Sequence, residues 1–397
     1  MSRTNDPRHF FQTTSALNET TRKASKSKNT KGNPIKLSSK ILAIATNPGD
    51  GQIYIAEAAG NVKRIELEVG QTLLPSQPSY TSDILATFSG PSAPLTSLAI
   101  LPRSDTVFAG CWDKSIWSWS LSTRKPGRRF RGHTDFVKTL LGFTLQGKEV
   151  LVSGSADASL IVWDIATGEK LHTLKGHTRG ILALALDPIE YEANKEEVVI
   201  FSAGSDREIR RWKIGLGSAS EVEASLDISS PILAHETSID SILFDADGDL
   251  WTASADKTAK CLSRARNWEE DTGLEHPDFV RDIVVDEEGG WVVTACRDEQ
   301  VRVWEKGSGK LYHVFEGHFE EVTGLLLLPG QKVVSVSIDA TIRQWSLNAQ
   351  DLVNAIKEAE NEKLGKEKEK EKELEREGGM LTAEEEAELA ELMEDSD

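Results

Sequence analysis

Short runs rich in Val, Ile and Leu alternate with polar residues along most of the chain, and Gly, Asp, Asn and Ser clusters punctuate them. A period of two puts successive side chains on opposite faces of a strand, and turn signals at even spacing predict an all-β fold. The pattern also repeats. "SGSADASLIVW" carries Asp157 and Trp163, "SAGSDREIRRW" Asp206 and Trp212, "TACRDEQVRVW" Asp298 and Trp304, and "SVSIDATIRQW" Asp339 and Trp345. "AGCWDKSIWSW" adds Asp113 and Trp119, so tryptophan follows aspartate by six residues five times. A sixth copy, "TASADKTAKCL", keeps Asp256 but has Leu262 where tryptophan belongs, and successive aspartates lie 41 to 50 residues apart.

A histidine stands upstream of most copies: His133, His177, His235, His276 and His318, in "RGHTDFV", "KGHTRGI", "LAHETSI", "LEHPDFV" and "EGHFEEV". An alternating apolar run joins each histidine to its aspartate. Glycine–histidine, aspartate and tryptophan at these intervals, over roughly residues 39–347, resemble the WD-repeat family. Of the tryptophans that end the repeats, only Trp163 is followed by aspartate, Asp164; the other copies end W-S, W-K or W-E. With a degenerate first unit at residues 41–67 there are seven repeats, and the resemblance implies a seven-bladed β-propeller of four-stranded blades. It also implies that the outer strand of the last blade comes from the N-terminus. "NPIKLS" (Asn33 to Ser38) is the expected strand, with "HFFQTT" (His9 to Thr14) as the runner-up. Residues 1–32 are then a disordered basic arm, 33–349 the propeller, and 350–397 a charged helical spacer with an acidic amphipathic tail.

His133, Ser153 and Asp157 have the residue types of a hydrolase triad, but so do His177, Ser202, Asp206 and His318, Ser335, Asp339. One chain does not need several copies of an active site, and buried polar groups must be paired. The resemblance implies structural Trp–Ser/Thr–His–Asp chains instead. These are Trp163, Ser153, His133, Asp157; Trp212, Ser202, His177, Asp206; Trp304, Thr294, His276, Asp298; and Trp345, Ser335, His318, Asp339. The Asp113 unit has Ala109 for serine and no histidine; the Asp256 unit keeps Thr252 and His235; the first unit lacks the set. These three blades are expected to open first. Trp117 shares a strand face with Trp119 and is expected in the core between blades. Cys111 and Cys296 stand where other copies have serine, and the three cysteines lack C-x-x-C spacing, which argues against zinc and disulfides.

Trp112 departs from the repeat. Its counterparts Ala156, Ser205, Ala255, Arg297 and Ile338 are mostly small. A large aromatic residue here either caps a neighbouring loop or is displayed to a partner. The residues three after each histidine form a second series on the same face: Phe136, Gly180, Ser238, Phe279 and Glu321. Aromatic anchors inside a charged fringe of Asp135, Arg179, Asp278, Arg297, Glu320 and Glu321 describe a protein–protein hot spot. Trp112 and Phe136 are the expected core of a peptide-docking surface.

The formal charge of −18 is uneven. Residues 1–40 hold nine Lys/Arg and two Asp/Glu, whereas residues 356–397 hold seven and seventeen. An acidic body is a poor platform for a phosphate backbone, so nucleic-acid contact is expected only through the basic arm. The tail continues from a helix that Asp351 is expected to cap, through a Lys/Glu run, to "MLTAEEEAELAELMEDSD". There Leu389, Leu392 and Met393 line one side of a short acidic helix with a Thr382/Glu385 capping box, either a docking element or a solubilising tail. No signal peptide or apolar run of spanning length is present, so a cytoplasmic or nuclear protein is expected, with no membrane contact. No phosphate loop, metal cluster or unique nucleophile breaks the repeats. The expected function is a non-enzymatic, cofactor-free interaction scaffold or adaptor. Two alternatives remain: a non-catalytic subunit of an RNA-modification or ribosome-assembly complex, and a ubiquitin-ligase substrate receptor. The second lacks its W-D-x-R signature, since Ile165 and Ala166 follow Trp163-Asp164.

Overall fold

In a computed structural model, residues 14–47, 52–67, 84–223 and 230–378 are described. Seven four-stranded antiparallel sheets follow one another along the chain as blades 1 to 7, each with strands a to d. Blade 3 shows the unit, with strands Val137–Leu145, Lys148–Ser155, Ser159–Asp164 and Lys170–Lys175. Blades 1, 2, 4, 5 and 6 begin at Ile41, Leu95, Ile181, Ile239 and Val280. Blade 7 takes three strands from Val322–Leu328, Lys332–Ser337 and Thr341–Ser346. Its fourth is Ile35–Lys36, with Ile35 opposite Ile342 and Lys36 opposite Thr341. The closing strand therefore lies inside Asn33 to Ser38, and Thr14, the last residue of the runner-up segment, starts a helix instead.

Alternation explains why the middle strands are apolar on both sides. Val150 and Val152 join the core shared with blade 4, while Leu151, Ile161 and Trp163 join the core shared with blade 2. Similar clusters join blades 1 and 2, 4 and 5, 5 and 6, and 7 and 1. Burying both faces of a sheet against its neighbours is what makes a repeat that cannot fold alone stable in a ring.

Residues 1–13 of the arm lie outside the described residues, and the part that follows them differs from the expected disorder. Helix α1, Thr14–Lys26, precedes the closing strand. Its polar sequence gives no apolar stripe, and ion pairs to distant residues hold it, as described below. Helix α2, Pro188–Ala193, occupies the long loop of blade 4; Asp187 caps it, accepting from the Ile189 and Glu190 amides. The propeller unit ends at Leu347 and a second unit begins at Asn348. That unit contains helix α3, Ala349–Gly378, whose backbone stays helical through the Lys/Glu run. Asn348, not Asp351, caps it: its side chain accepts from the Gln350 amide at 3.0 Å and its carbonyl from Leu352 at 2.9 Å. Asp351 sits in the first turn. The expected docking residues Leu389, Leu392 and Met393, with Thr382 and Glu385, lie outside the described residues.

Candidate functional site

The triad-like residues are assembled, but into closed chains. In blade 3 the Trp163 indole donates to Ser153 Oγ at 2.9 Å, Ser153 bonds His133 Nε2 at 2.7 Å, and His133 Nδ1 bonds Asp157 at 3.0 Å. An indole only donates and a carboxylate only accepts, so the protons order themselves: Nδ1 carries the imidazole hydrogen and Nε2 accepts from the serine. Blade 4 repeats this with Trp212, Ser202, His177 and Asp206, and blade 7 with Trp345, Ser335, His318 and Asp339. Burial lowers the pKa of His133 and His318, favouring the neutral ring the chain needs. Burial alone would raise Asp157, but the Ser159 hydroxyl, the Thr134 amide and His133 bring it down to about 2. Ser153, Ser202 and Ser335 are fully buried, so no substrate carbonyl reaches their hydroxyls.

Blade 6 breaks the expected set. Trp304 donates to Thr294 at 2.9 Å and Thr294 bonds His276 at 2.8 Å, but His276 Nδ1 turns to the Leu274 carbonyl at 3.1 Å. Asp298 pairs with Arg302 instead, at 2.5 and 3.1 Å. The sequence holds the reason. In blades 3, 4, 5 and 7 the amide after the histidine, from Thr134, Thr178, Glu236 or Phe319, also donates to the aspartate. Pro277 has no N–H to give. Burial, with the charge of Arg302, pushes His276 down to about 4.

The decayed blades replace their missing groups. In blade 2, Asp113 accepts from the Trp117 indole at 2.8 Å and from Arg129 at 2.6 Å, and Arg129 lies 4.5 Å from the Trp117 ring centre. Trp117 is thus a partner of the turn aspartate as well as a neighbour of Trp119. Blade 1 has a buried pair, Lys63 donating to Glu57 at 2.7 Å. Blade 5 keeps His235 between Asp256 and Thr252 at 2.8 and 2.7 Å. The cysteines are buried thiols pushed up to about 12 by burial. Cys296 donates to the Asp278 carbonyl as Ser155 does to Asp135 and Ser337 to Glu320.

One face carries both loop series. In each blade a b–c turn amide donates to the carbonyl before strand a: Ala58 to Lys40, Trp112 to Pro94, Ala156 to Phe136, Ser205 to Gly180, Ala255 to Ser238, Arg297 to Phe279 and Ile338 to Glu321. On this frame Trp112 of blade 2 reaches Phe136 of blade 3. Their rings stack with centres 5.1 Å apart and planes 14° off parallel. Trp112 remains 39% exposed, which is high for so large an apolar side chain. Lys138 sets its ammonium 5.4 Å from the Trp112 ring and 5.9 Å from Phe136. Burial lowers its pKa, against the opposing charge of Asp135.

The rest of the expected fringe divides. Asp135 accepts from the Phe136 amide, and Arg179 is exposed. Phe279 lies under Arg297, 5.0 Å from the guanidinium, in blade 6 rather than with Trp112. Glu321 bonds Arg281, which also reaches Asp240 at 3.2 Å. Burial pushes that aspartate up to about 6 although Arg281 opposes it.

Two clusters have metal-ligand composition among the described residues: His177, Asp206, Glu208 and Asp245, Asp249, Cys261. Protein donors already fill both. His177 holds Asp206 and Arg210 holds Glu208, while Lys306 and the Trp251 indole converge on Asp245 Oδ2 at 3.1 and 3.0 Å.

Models of the WD domain, G-beta repeat match residues 82–120, 124–164, 168–213, 271–305 and 309–346. The chain belongs to the WD-repeat family. The unmatched stretches include the first three strands of blade 1 and most of blade 5, where the signature decays. A WD-repeat protein of Schizosaccharomyces pombe, named only as uncharacterized, is 36% identical over 99% of this chain and all of its own length. The nuclear distribution protein nudF of Aspergillus niger is 26% identical, over 66% of this chain and 61% of nudF. The mouse pre-mRNA-processing factor 19 is 24% identical over 44% of the chain and 32% of its own length. WD-repeat proteins generally act as scaffolds or adaptors. No helix among the described residues is long and apolar enough to cross a membrane.

Proposed function

We propose that this protein is a non-enzymatic interaction scaffold that docks a peptide segment of another protein on the Trp112/Phe136/Lys138 patch. The observation that carries the proposal is the exposed Trp112 stacked on Phe136 across a blade boundary. Both rings stand on loops tied into the rigid ring, so little ordering entropy is lost on binding. The patch suits an apolar side chain flanked by a carboxylate, which Lys138 would meet. The repeated His–Ser pairs supply no competing enzymatic reading, because each is sealed inside its blade. The RNA-complex alternative is weaker, since arm cations Arg22, Lys23 and Lys26 engage propeller carboxylates. A cytoplasmic or nuclear location fits three unpaired, buried thiols.

The test is quantitative capture from native lysate with wild-type protein and the Trp112→Ala/Phe136→Ala variant. The proposal expects a defined set of partners to be lost by a variant whose melting temperature is unchanged. An identical set on the folded variant refutes it.

A further inference from the structure

Helix α1 is a basic segment latched onto the propeller. Arg22 donates twice to Glu299, at 2.7 and 2.8 Å, and Lys26 reaches the same carboxylate at 2.7 Å. Lys23 bridges Glu320 at 2.7 Å and Glu19 at 2.9 Å. Glu299 is unusual for its position. The equivalent turn residues are Lys114, Ala158, Arg207, Lys257 and Ala340, all in the left-handed region, as is Glu299 at φ 76°. Among these six only Glu299 is acidic, and it is buried under the arm. After α1 the chain is clamped: buried Arg343 donates to the Lys31 and Asn29 carbonyls, and the Gln344 amide to Gly32. The helix can therefore leave while its tether stays.

The latch contains an exposed serine. Ser25 follows Arg22-Lys23-Ala24, and its hydroxyl donates to the Arg22 carbonyl at 2.8 Å. Basic residues three and two places before a serine are what a protein kinase with an acidic substrate cleft recognises. We infer that Ser25 is a phosphorylation site for a basophilic serine/threonine kinase, and that its modification releases α1 from Glu299 and Glu320. Ser25 Oγ bonds the γ-phosphorus of ATP as the bond to ADP breaks, and the hydroxyl proton leaves to solvent. The product adds about −1.5 to −2 of charge one turn from Arg22 and beside Lys26. It competes with Glu299 for both cations. It also lies in the last turn of α1, where the helix dipole disfavours an anion.

The kinase needs Arg22 and Lys23, which the docked state engages. The released arm is thus the substrate, and phosphate traps it. This inference rests on the arm and not on the Trp112 patch.

Full-length protein would be incubated with ATP and the catalytic subunit of cyclic-AMP-dependent protein kinase. Peptide mass spectrometry then reads Ser25, and hydrogen exchange reads residues 14–26. The expected result is phosphate on Ser25, loss of exchange protection over α1, and an unchanged propeller melting temperature. Ser25→Ala keeps its protection, while Glu299→Gln and Lys26→Gln are each modified at Ser25 faster than wild type. Ser25 left unmodified in wild type and both variants overturns the inference. So does a phosphorylated Ser25 with α1 still protected.

Discussion

Replacing Ser335 by alanine removes the one atom that joins the two halves of the blade 7 chain. Its Oγ accepts from the Trp345 indole at 2.8 Å and bonds His318 Nε2 at 2.8 Å. Both partners are buried, and Ser335 has no exposed surface through which water could substitute. Each stranded polar group costs roughly 1–3 kcal/mol, so the expected loss is about 2–4 kcal/mol after partial relaxation. Urea unfolding followed by tryptophan fluorescence measures it, with the melting temperature as a second reading. Trp345→Phe removes the indole donor but leaves Ser335 on His318, so it should cost less. The double variant should cost less than the sum, because the two changes break a shared bond. Asp298→Asn in blade 6 is the contrast. Its carboxylate serves Arg302 rather than His276 and is 21% exposed, so the loss should stay near about 1 kcal/mol. A Ser335→Ala protein within about 0.5 kcal/mol of wild type would refute the account of the polar chains.

Four further outcomes are expected. His276 sits at about 4 in the folded protein, below the ordinary 6.5, so the unfolded state binds more protons between these values. Thermal stability should therefore fall as pH drops through that window, and His276→Gln should flatten the fall. Asp157 and Asp206, both held down to about 2, should keep their contribution above roughly pH 4 and lose it as pH falls through about 2. Gly32→Ala should lower the melting temperature, since Gly32 has φ 71° and an added Cβ would meet the Trp345 ring at 2.8 Å. Arg129→Ala should cost at most about 1 kcal/mol, being partly exposed, yet speed hydrogen exchange in the Asp113 turn beyond that of other blades.

Repeat number and both loop series are legible because they are periodic, while the N-terminal origin of the closing strand is what the resemblance to the WD-repeat family implies. A residue at a fixed offset from the turn aspartate occupies the same place in every blade, as the repeated b–c amide contacts show. Breaks in the period were harder to read. Pro277 stands in the sequence, and its missing N–H disfavours a His276–Asp298 link because the backbone amide after the histidine belongs to the set. The partners of Asp113 do not show in the repeat pattern because Trp117 and Arg129 come from strand c and the loop entering strand d rather than from the histidine position. Helix α1 left no local signal. Its stabilising partner Glu299 lies 277 residues from Arg22, and polar composition alone argues for disorder. Trp112 and Phe136 were each conspicuous, but their stacking across a blade boundary needed the ring to be closed.

The most direct measurement of the central claim is side-by-side capture with three proteins: full length, a chain lacking residues 378–397, and Trp112→Ala/Phe136→Ala. A propeller-face scaffold keeps its partners when the tail is removed and loses them when the two rings are removed. Partners that vanish with the tail and persist on the double variant would contradict it.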